Sequence, residues 1–237
     1  MRWIAVTFLS LGISQVSFGL EAEHDGADII EKYVTSTQLQ QQAMRGMTME
    51  VEIDADLPKL HKSGKMSARR VISKLGQISY KVLGFSGDDD VKKDVIARYL
   101  QAETESQKDN TQFAINQTNY KFRYKGSLQI NDQRDYLFDL KPRRKRVGLF
   151  RGELWLDAKT YMPLRETGRF VKTPSVFLKK VEFVRSYEIR DGIAIPKRID
   201  SKIDTRLAGL AEIHIDYTNV KQTDVPEKTE DEARLAQ

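Results

Sequence analysis

The sequence predicts a mainly β protein of the α+β class, with one curved antiparallel sheet of about ten or eleven strands and helices over its concave side. Three observations lead to this prediction. Apolar and polar residues alternate with a period of two along most of the chain, short turn signals separate these segments, and only two segments show helical spacing. So many consecutive antiparallel strands must curl or close, and the alternation gives them one apolar and one solvated wall.

The first nineteen residues have the pattern of a secretory signal peptide. Arg2 supplies the positive start, the segment 3–16 is mostly apolar and uncharged, and Ser17 and Gly19 are small residues at the −3 and −1 positions of a cleavage site. The apolar segment is short for a membrane span, although an uncleaved anchor is the alternative. We therefore expect a signal peptide over 1–19, removed by cleavage, and a mature protein in the periplasm.

The chain contains no cysteine. An exported protein of this composition has no disulfides, no thiolate metal site, no cysteine nucleophile and no acylated cysteine after the signal peptide. The middle of the chain has no Gly/Ser-rich or Pro-rich linker, so we predict a single domain over 20–221. The segment 222–237 is charged and poor in apolar residues, which predicts a disordered tail.

The first half of the predicted domain consists of a helix, three strands and a second helix. Apolar residues at three- and four-residue spacing predict the first helix over 27–44, and Gly46 ends it. The period then changes to two, and the predicted strands are 47–53, 65–74 and 77–83. The run Asp88–Asp90 can cap the second helix, which continues to about Ser106.

The apolar stripe of the second helix has two interpretations. Val91, Val95 and Tyr99 recur at four-residue spacing on one face. They could pack on the sheet as ordinary core, or they could form the inner side of a lid over a cavity. The helical spacing is the same in both cases.

Strands resume after the second helix and continue nearly to the end of the chain. Asp191-Gly192 is a hairpin signal, and Pro196 marks an edge or a bulge. The predicted strands are 111–116, 119–130, 136–140, the two arms of the hairpin 151–170, and 176–190, 193–205 and 210–220.

A cluster of positive charge follows the predicted strand 136–140. Five of the six residues from Lys141 to Arg146 are cations, in a chain of net charge +5. The run is either a solvated hairpin tip or a patch that meets anionic lipid headgroups or an acidic partner protein, and the residues of that patch are Arg143, Arg144, Lys145 and Arg146. Export and the absence of a recognisable nucleic-acid module argue against nucleic acid as a partner.

Motifs for catalysis or metal binding are missing from the sequence. The histidines His24, His61 and His214 lie far apart in unrelated contexts. The segment 84–87, Gly-Phe-Ser-Gly, lacks the spacing of a serine elbow and precedes the capping aspartates, so a turn is the better interpretation. We therefore expect no enzymatic activity, no cofactor and no metal, although sequence cannot recognise a glycosidase-type carboxylate pair.

Three segments carry a resemblance to a known family. Tyr136–Pro142, Arg151–Asp157 and Met162–Arg165 resemble the outer-membrane lipoprotein-sorting superfamily, which includes LolA-, LolB- and RseB-like proteins. The resemblance implies a half-open curved antiparallel β-barrel, helices forming a lid over the concave side, and an apolar cavity that accepts acyl chains. LolA-like carriers have an Arg-Pro pair after an early Trp-containing strand. Here the early strand has neither Trp nor Pro, and Arg69 or Arg70 is the candidate for closing the lid.

The resemblance and the alternating pattern together predict an apolar ligand site. Removing acyl methylenes from water would supply affinity, about 0.8 kcal/mol each, and flexible methionines suit varied chains. The candidate wall residues, which as a pattern look the same as ordinary core, are Met47, Met49, Val51, Ile53, Ile78, Tyr80, Val82, Tyr120, Phe122, Tyr136, Phe138, Leu154 and Leu156.

Two functions are compatible with this sequence. The first is a periplasmic carrier that binds acyl lipid or lipoprotein, with a role in lipid or lipoprotein trafficking and outer-membrane biogenesis. The alternative is a sensor or protein-interaction module of the RseB type without bound cargo. In either case we expect a monomer that meets partner proteins of the inner or outer membrane.

Overall fold

The computed structural model describes residues 18–106, 110–130, 133–173, 178–206 and 208–222. Most of the predicted signal peptide and the predicted tail from residue 223 therefore lie outside the described residues. Strand makes up 59% of the structure, which confirms the mainly β class. The strands form one open, curved sheet, as the sequence predicts.

The helices lie in the first half of the chain. Helix α1 spans Phe18–Ala43 and begins nine residues earlier than predicted. Three helical pieces follow one another without a break and are together called the second helix: α2 (Asp89–Val91), a π-helical turn (Lys92–Ile96) and α3 (Ala97–Ser106). A short helix, α4, spans Asn110–Phe113, and a 3₁₀ turn spans Pro58–Leu60.

Ten strands build the sheet. Their bounds are β1 (Met47–Leu57), β2 (Lys62–Ile72), β3 (Ile78–Gly87), β4 (Tyr120–Ile130), β5 (Gln133–Pro142), β6 (Phe150–Asp157), β7 (Pro163–Phe170), β8 (Leu178–Arg190), β9 (Ile193–Thr205) and β10 (Leu210–Gln222). Their order across the sheet is β3-β2-β1-β10-β9-β8-β7-β6-β5-β4, with every neighbouring pair antiparallel. Strands β3 and β4 therefore form the two edges, and the second helix and α4 connect them along the chain.

One predicted strand is wrong. The segment 111–116 contributes to α4 and to a turn instead of pairing with the sheet. The side chain of Asn116 accepts hydrogen bonds from the backbone N–H groups of Thr118 and Asn119 at 3.1 and 3.0 Å. Such an Asx turn competes with a strand for the same backbone, and here it positions the chain to begin β4.

Both helices cover the same face of the sheet. Cross-strand pairing places Ile53 of β1 beside Ile215 of β10, and Ile215 beside Ile199 of β9. Across β8 and β7, the same row of paired residues reaches Leu154 of β6 and Phe138 of β5. The second helix packs on one apolar cluster in this face, formed mainly by β1, β2 and β10, and α1 packs on another, formed mainly by β4, β5 and β6. The two clusters lie on one continuous concave face.

The opposite face of the sheet is solvated and charged. Neighbouring strands are joined there by cross-strand ion pairs, which are Lys65–Asp54, Arg123–Asp139, Arg198–Asp216 and Lys202–Glu212. Exposed pairs of this kind contribute little to stability individually. They confirm the predicted division into one apolar wall and one wet wall.

A glycine pair fixes how closely two strands approach. Gly152 of β6 lies directly opposite Gly168 of β7. A Cβ atom on Gly152 would overlap the carbonyl oxygen of Thr167, and one on Gly168 would overlap the ring of Phe150. Because both residues lack a side chain, the ring of Phe150 packs against Gly168 and contacts Phe183, with ring centroids 4.9 Å apart.

Candidate ligand-binding site

A group of polar side chains lies on the concave face between the two apolar clusters. Glu166 of β7 is only 5% exposed. It accepts a hydrogen bond from Nη1 of Arg185 at 3.2 Å and another from the hydroxyl of Tyr187 at 3.1 Å. We call these three residues the polar centre. Both carboxylate oxygens are satisfied, as a buried charge requires.

The side chain of Arg185 in the polar centre is partly exposed. The side chain of Arg185 is 35% exposed although it lies in the middle of the concave face, and it stacks 4.5 Å above the ring of Phe183. The two helices therefore leave a strip of the concave face uncovered. An amphiphile that lay along this face would meet an accessible cation there.

Tyrosines from both helices surround the polar centre. Burial, followed by the charge of Glu166, raises the pKa of Tyr33 in α1 well above its ordinary value. Burial, followed by Glu103, also raises the pKa of Tyr99 in α3. Both hydroxyls therefore stay protonated at neutral pH, and that of Tyr99 is hydrogen-bonded to Tyr217.

A second polar group fastens the second helix to the sheet. Arg70 of β2 is 7% exposed, and its Nη2 lies 3.1 Å from Oε1 of Glu103 in α3. Its Nε donates to the hydroxyl of Tyr80 at 3.1 Å, and that hydroxyl donates to the other carboxylate oxygen of Glu103. We call Arg70, Tyr80 and Glu103 the latch, because they join two strands to the helix that covers them.

Electrostatics within the latch favour the charged pair. Burial alone would lower the pKa of Arg70, but Glu103 and Tyr80 outweigh it, so the pKa is raised. Burial and Glu103 raise the pKa of Tyr80, which keeps its hydroxyl protonated. The latch is therefore a guanidinium–carboxylate pair bridged by a neutral phenol.

Helix α1 is held by hydrogen bonds along its length. Lys32 Nζ donates to the hydroxyl of Tyr161 at 3.2 Å, and Ser36 Oγ donates to the carbonyl oxygen of Thr160 at 3.2 Å. The side-chain amide of Gln40 makes two bonds to the backbone of Ala194, at 2.8 and 3.2 Å. These two bonds occupy the edge of β9 beyond the end of its pairing with β10.

The predicted wall residues divide between the two clusters. Those that are buried are Met49, Val51, Ile53, Ile78, Tyr120, Phe138, Leu154 and Leu156. Those that are half-buried are Met47, Tyr80, Phe122 and Tyr136, and Val82 is 49% exposed at the sheet edge. Of the residues predicted for the lid helix, Val91 is fully buried, and Val95 and Tyr99 pack at the border of the same cluster.

The two arginines predicted as alternatives for closing the lid lie on opposite faces. Arg70 points inward and belongs to the latch, whereas Arg69 is exposed on the outer face. The period of two in a strand requires this division, since successive residues face opposite sides.

The basic patch is partly occupied by local contacts. Arg143 Nε donates to the carbonyl oxygens of Gln117 and Tyr120 at 2.7 and 3.2 Å, and Arg146 Nη1 donates to Oε1 of Gln112 at 3.2 Å. The two residues between them in sequence, Arg144 and Lys145, are exposed.

Sequence analysis missed the residues of the polar centre and the partner of Arg70. Arg185 could have been found from the sequence. It alternates with Val181, Phe183 and Tyr187 in a predicted strand, and this alternation places a charged residue on the apolar side of that strand. Glu103 had no such signal. Its role depends on how α3 crosses β2 and β3.

Other kinds of site find little support in the described part of the chain. It contains no group of three or more His, Asp or Glu side chains arranged to hold a metal ion. No helix in it combines the length and apolar character needed to cross a membrane.

A shallow depression of about 440 Å³ at the β1–β2 turn is lined by Asp56, Pro58, His61, Lys62, Ser63 and Glu212. That lining is too polar for acyl chains.

Comparison with known proteins gives structural likeness without sequence matches. No protein-family model matches the chain, and no curated protein matches it either. The structure is similar to a LolA superfamily protein from Nitrosomonas europaea, with 14% identity, 86% of this chain and 96% of that chain covered, and a TM-score of 0.44. It is also similar to a putative outer membrane lipoprotein-sorting protein domain from Vibrio parahaemolyticus, with 11% identity, coverage of 91% and 100%, and a TM-score of 0.46.

A third similar structure is a chain of the Pseudomonas aeruginosa MucA/MucB complex, with 12% identity, coverage of 85% and 100%, and a TM-score of 0.28. The likeness to these three structures is one of fold alone. At these identities and TM-scores it says nothing about ligand or partner.

Proposed function

We propose that this chain is an exported, periplasmic binding protein, without enzymatic activity, that holds the acyl chains of a lipid or lipoprotein against its concave face beneath the second helix. The observation that carries the proposal is the latch. A buried ion pair is a poor way to stabilise a helix, because desolvation offsets most of the attraction and apolar packing would do as well or better. A charged, hydrogen-bonded contact is suited to a helix that leaves the sheet and returns to the same position on it.

The form of the second helix supports an opening motion. Its π-helical turn, Lys92–Ile96, lies between the anchored residue Val91 and the latch residue Glu103. Single π turns inside α-helices are frequent at functional sites and weaken the regular backbone ladder. We infer that the helix bends at this turn when the pair between Arg70 and Glu103 separates.

The concave face offers complementary regions to an amphiphile. When the second helix opens, acyl chains would take its place on the cluster beneath it, and ten buried methylenes would contribute about 8 kcal/mol. The polar part of the ligand would lie in the uncovered strip, beside the accessible guanidinium of Arg185 and the hydroxyls of Tyr33 and Tyr99. Methionines 49 and 66, both in this cluster, could adapt to different chains.

Mass spectrometry of lipid extracted from natively purified protein tests the proposal. We expect acyl lipid in a fixed ratio to wild-type protein, and a reduced ratio in Glu103→Gln, which weakens the latch. The matched control is Asp90→Asn. This change removes an exposed ion pair between the same helix and Lys62 of β2. Repeated recovery of no lipid from folded wild-type protein would contradict a carrier function.

A protein-interaction or sensor module of the RseB type is the second candidate. The observation that favours it is the dense filling beneath α1, where Tyr120, Phe138, Leu154 and Leu156 are completely buried. A filled interior leaves the sheet edges and the basic patch as the surfaces for a partner. Absence of lipid, together with capture of a defined envelope protein, would favour this function over the carrier.

A further inference from the structure

Strand β3 is an open edge of the sheet. It pairs with β2 on one side, and within the described residues no strand pairs with its other side. An edge strand presents a row of backbone N–H and C=O groups that can pair with another extended chain. The side chains from Ser79 to Gly87 are exposed or half-exposed, and the second helix contacts β3 through Tyr80 and Phe85.

The outer side of this edge carries two cations without anionic partners. Lys81 of β3 lies directly opposite Arg69 of β2, and both are exposed. Neither forms an ion pair with a residue that the structure describes. The carboxylate of Glu50, which is opposite Arg69 on β1, accepts a hydrogen bond from Asn219 instead, at 2.6 Å. Like charges directly opposite each other destabilise a sheet.

The concave side of the same edge exposes apolar surface. Val82 and Leu83 are each 49% exposed. Val82 continues the row of Ala68 and Val51, both 1% exposed, so its exposed surface is the open end of the apolar cluster. Leu83 is the extra residue of a β-bulge, which separates the regularly paired segment 78–82 from the paired segment 84–87.

The other edge lacks this combination. Strand β4 also carries outward cations, and Lys121 lies opposite Lys141, but Arg123 is paired with Asp139. Its inward residues Phe122 and Tyr124 are half-buried and pack on the cluster beneath α1. The exposed apolar residue of β4, Leu128, lies opposite Asp135 on the outer parity, so a chain that needs exposed apolar contacts on the concave side would find them at β3.

We propose that β3 receives an additional strand from a partner protein, an extended segment in which apolar and acidic residues alternate. Strand addition to an open edge is an established mode of peptide recognition, with affinity from the backbone and specificity from alternate side chains. The apolar residues would lie beside Val82 on the concave side. The carboxylates would lie beside Lys81 and Arg69 and would provide the negative charge that these two cations lack. A second copy of this chain would fit poorly, because its β3 would add cations to the same row.

A synthetic peptide tests this proposal independently of lipid binding. The probe is a fluorescein-labelled decapeptide of alternating valine and glutamate. The matched control peptides replace glutamate by lysine, or place proline at two central positions to remove backbone donors. Binding is measured by fluorescence anisotropy, and the site is located by hydrogen exchange of backbone amides.

We expect the glutamate peptide to bind wild-type protein and to slow exchange within 78–82. Lys81→Glu and Val82→Lys should each weaken binding at least tenfold, whereas Lys121→Glu on β4 should leave it within twofold. Circular dichroism and thermal unfolding establish that each variant is folded. Equal binding of the lysine peptide, undiminished binding to Lys81→Glu, protection at β4, or no binding at all would overturn the proposal. Protection of 78–82 that rises with protein concentration in the absence of peptide would also overturn it, in favour of self-association.

Discussion

Arg70 on β2 and Glu103 on α3 form an ion pair across the concave face, with 3.1 Å between Nη2 and Oε1 and with both side chains largely withdrawn from solvent. The pair joins residues 33 positions apart in sequence. It is one of the polar contacts between the sheet and the part of the second helix beyond the π-helical turn, where Tyr99 is also hydrogen-bonded to Tyr217. This charged contact adds to the apolar packing of Val91, Ile96 and Leu100, which also holds the helix on the sheet.

Breaking the latch from the helix side should destabilise the protein strongly. Glu103→Ala leaves the buried guanidinium of Arg70 without its counter-charge, and losses of about 3 kcal/mol are typical of such changes. Asp90→Asn, in the exposed pair with Lys62, should cost at most about 1 kcal/mol. Urea unfolding of the two variants measures the difference. Equal losses in both would show that the pair of Arg70 and Glu103 is not effectively buried.

The glycine pair between β6 and β7 should tolerate no side chain. In Gly152→Ala the new Cβ would overlap the backbone of Thr167, and relief requires the two strands to separate, at a cost of about 2 kcal/mol or more. Gly84→Ala is the matched control, because nothing lies within 4 Å of its Cβ position. Thermal unfolding should show a lower midpoint for Gly152→Ala alone. An unchanged midpoint would mean that the strands are further apart than the structure has them.

Asp135 should make the protein less stable at neutral pH than at acidic pH. Burial, followed by the charge of Asp157, raises its pKa, and its Oδ1 has no hydrogen-bond partner in the described structure. A carboxyl whose folded pKa lies above its unfolded value destabilises when it ionises, and the penalty disappears as the pH falls through the folded pKa. Asp135→Asn should therefore stabilise by on the order of 1 kcal/mol at pH 7.

The gain from Asp135→Asn should shrink as the pH approaches the ordinary aspartate value of 3.8. Urea unfolding of wild type and variant at several pH values measures it. A gain that does not depend on pH would locate the effect in packing and not in the ionisation of Asp135.

Lys81→Glu should have opposite effects on stability and on partner binding. In the free protein it replaces a like-charge pair with Arg69 by an attractive one, which should raise stability by about 0.2 to 1 kcal/mol. The same change should abolish recognition of an acidic strand at β3. Loss of stability in this variant would remove the charge argument for the edge site.

Sequence patterning captured what depends on local periodicity. The strand over 193–205 was predicted with its observed bounds, because alternation and the Asp191-Gly192 turn define both of its ends. Both turn residues have the positive φ, 52° and 76°, that such a hairpin turn requires. The strand prediction over 111–116 failed because the side chain of Asn116 bonds to the backbone of Thr118 and Asn119, which alternation does not reveal.

The candidate site was predictable only in part. Alternation predicted which residues face the apolar side, and the family resemblance suggested Arg69 or Arg70, of which Arg70 is the one that faces inward. It could not locate Glu103 or Glu166, since their roles arise from contacts between elements distant in sequence. A single sequence also cannot reveal that the concave face is divided into two clusters by a polar centre, because that division follows from strand order.

Photo-crosslinking with a diazirine-labelled fatty acid tests the central claim most directly. Irradiation of the complex, followed by proteolysis and mass spectrometry, identifies the residues that contact the acyl chain. If acyl chains bind beneath the second helix, adducts form on the concave residues of β1, β2 and β10 and on the inner side of the second helix, with fewer adducts in Glu103→Gln. Adducts confined to exposed residues such as Leu39 and Leu75, or none from folded protein, would contradict binding at this site.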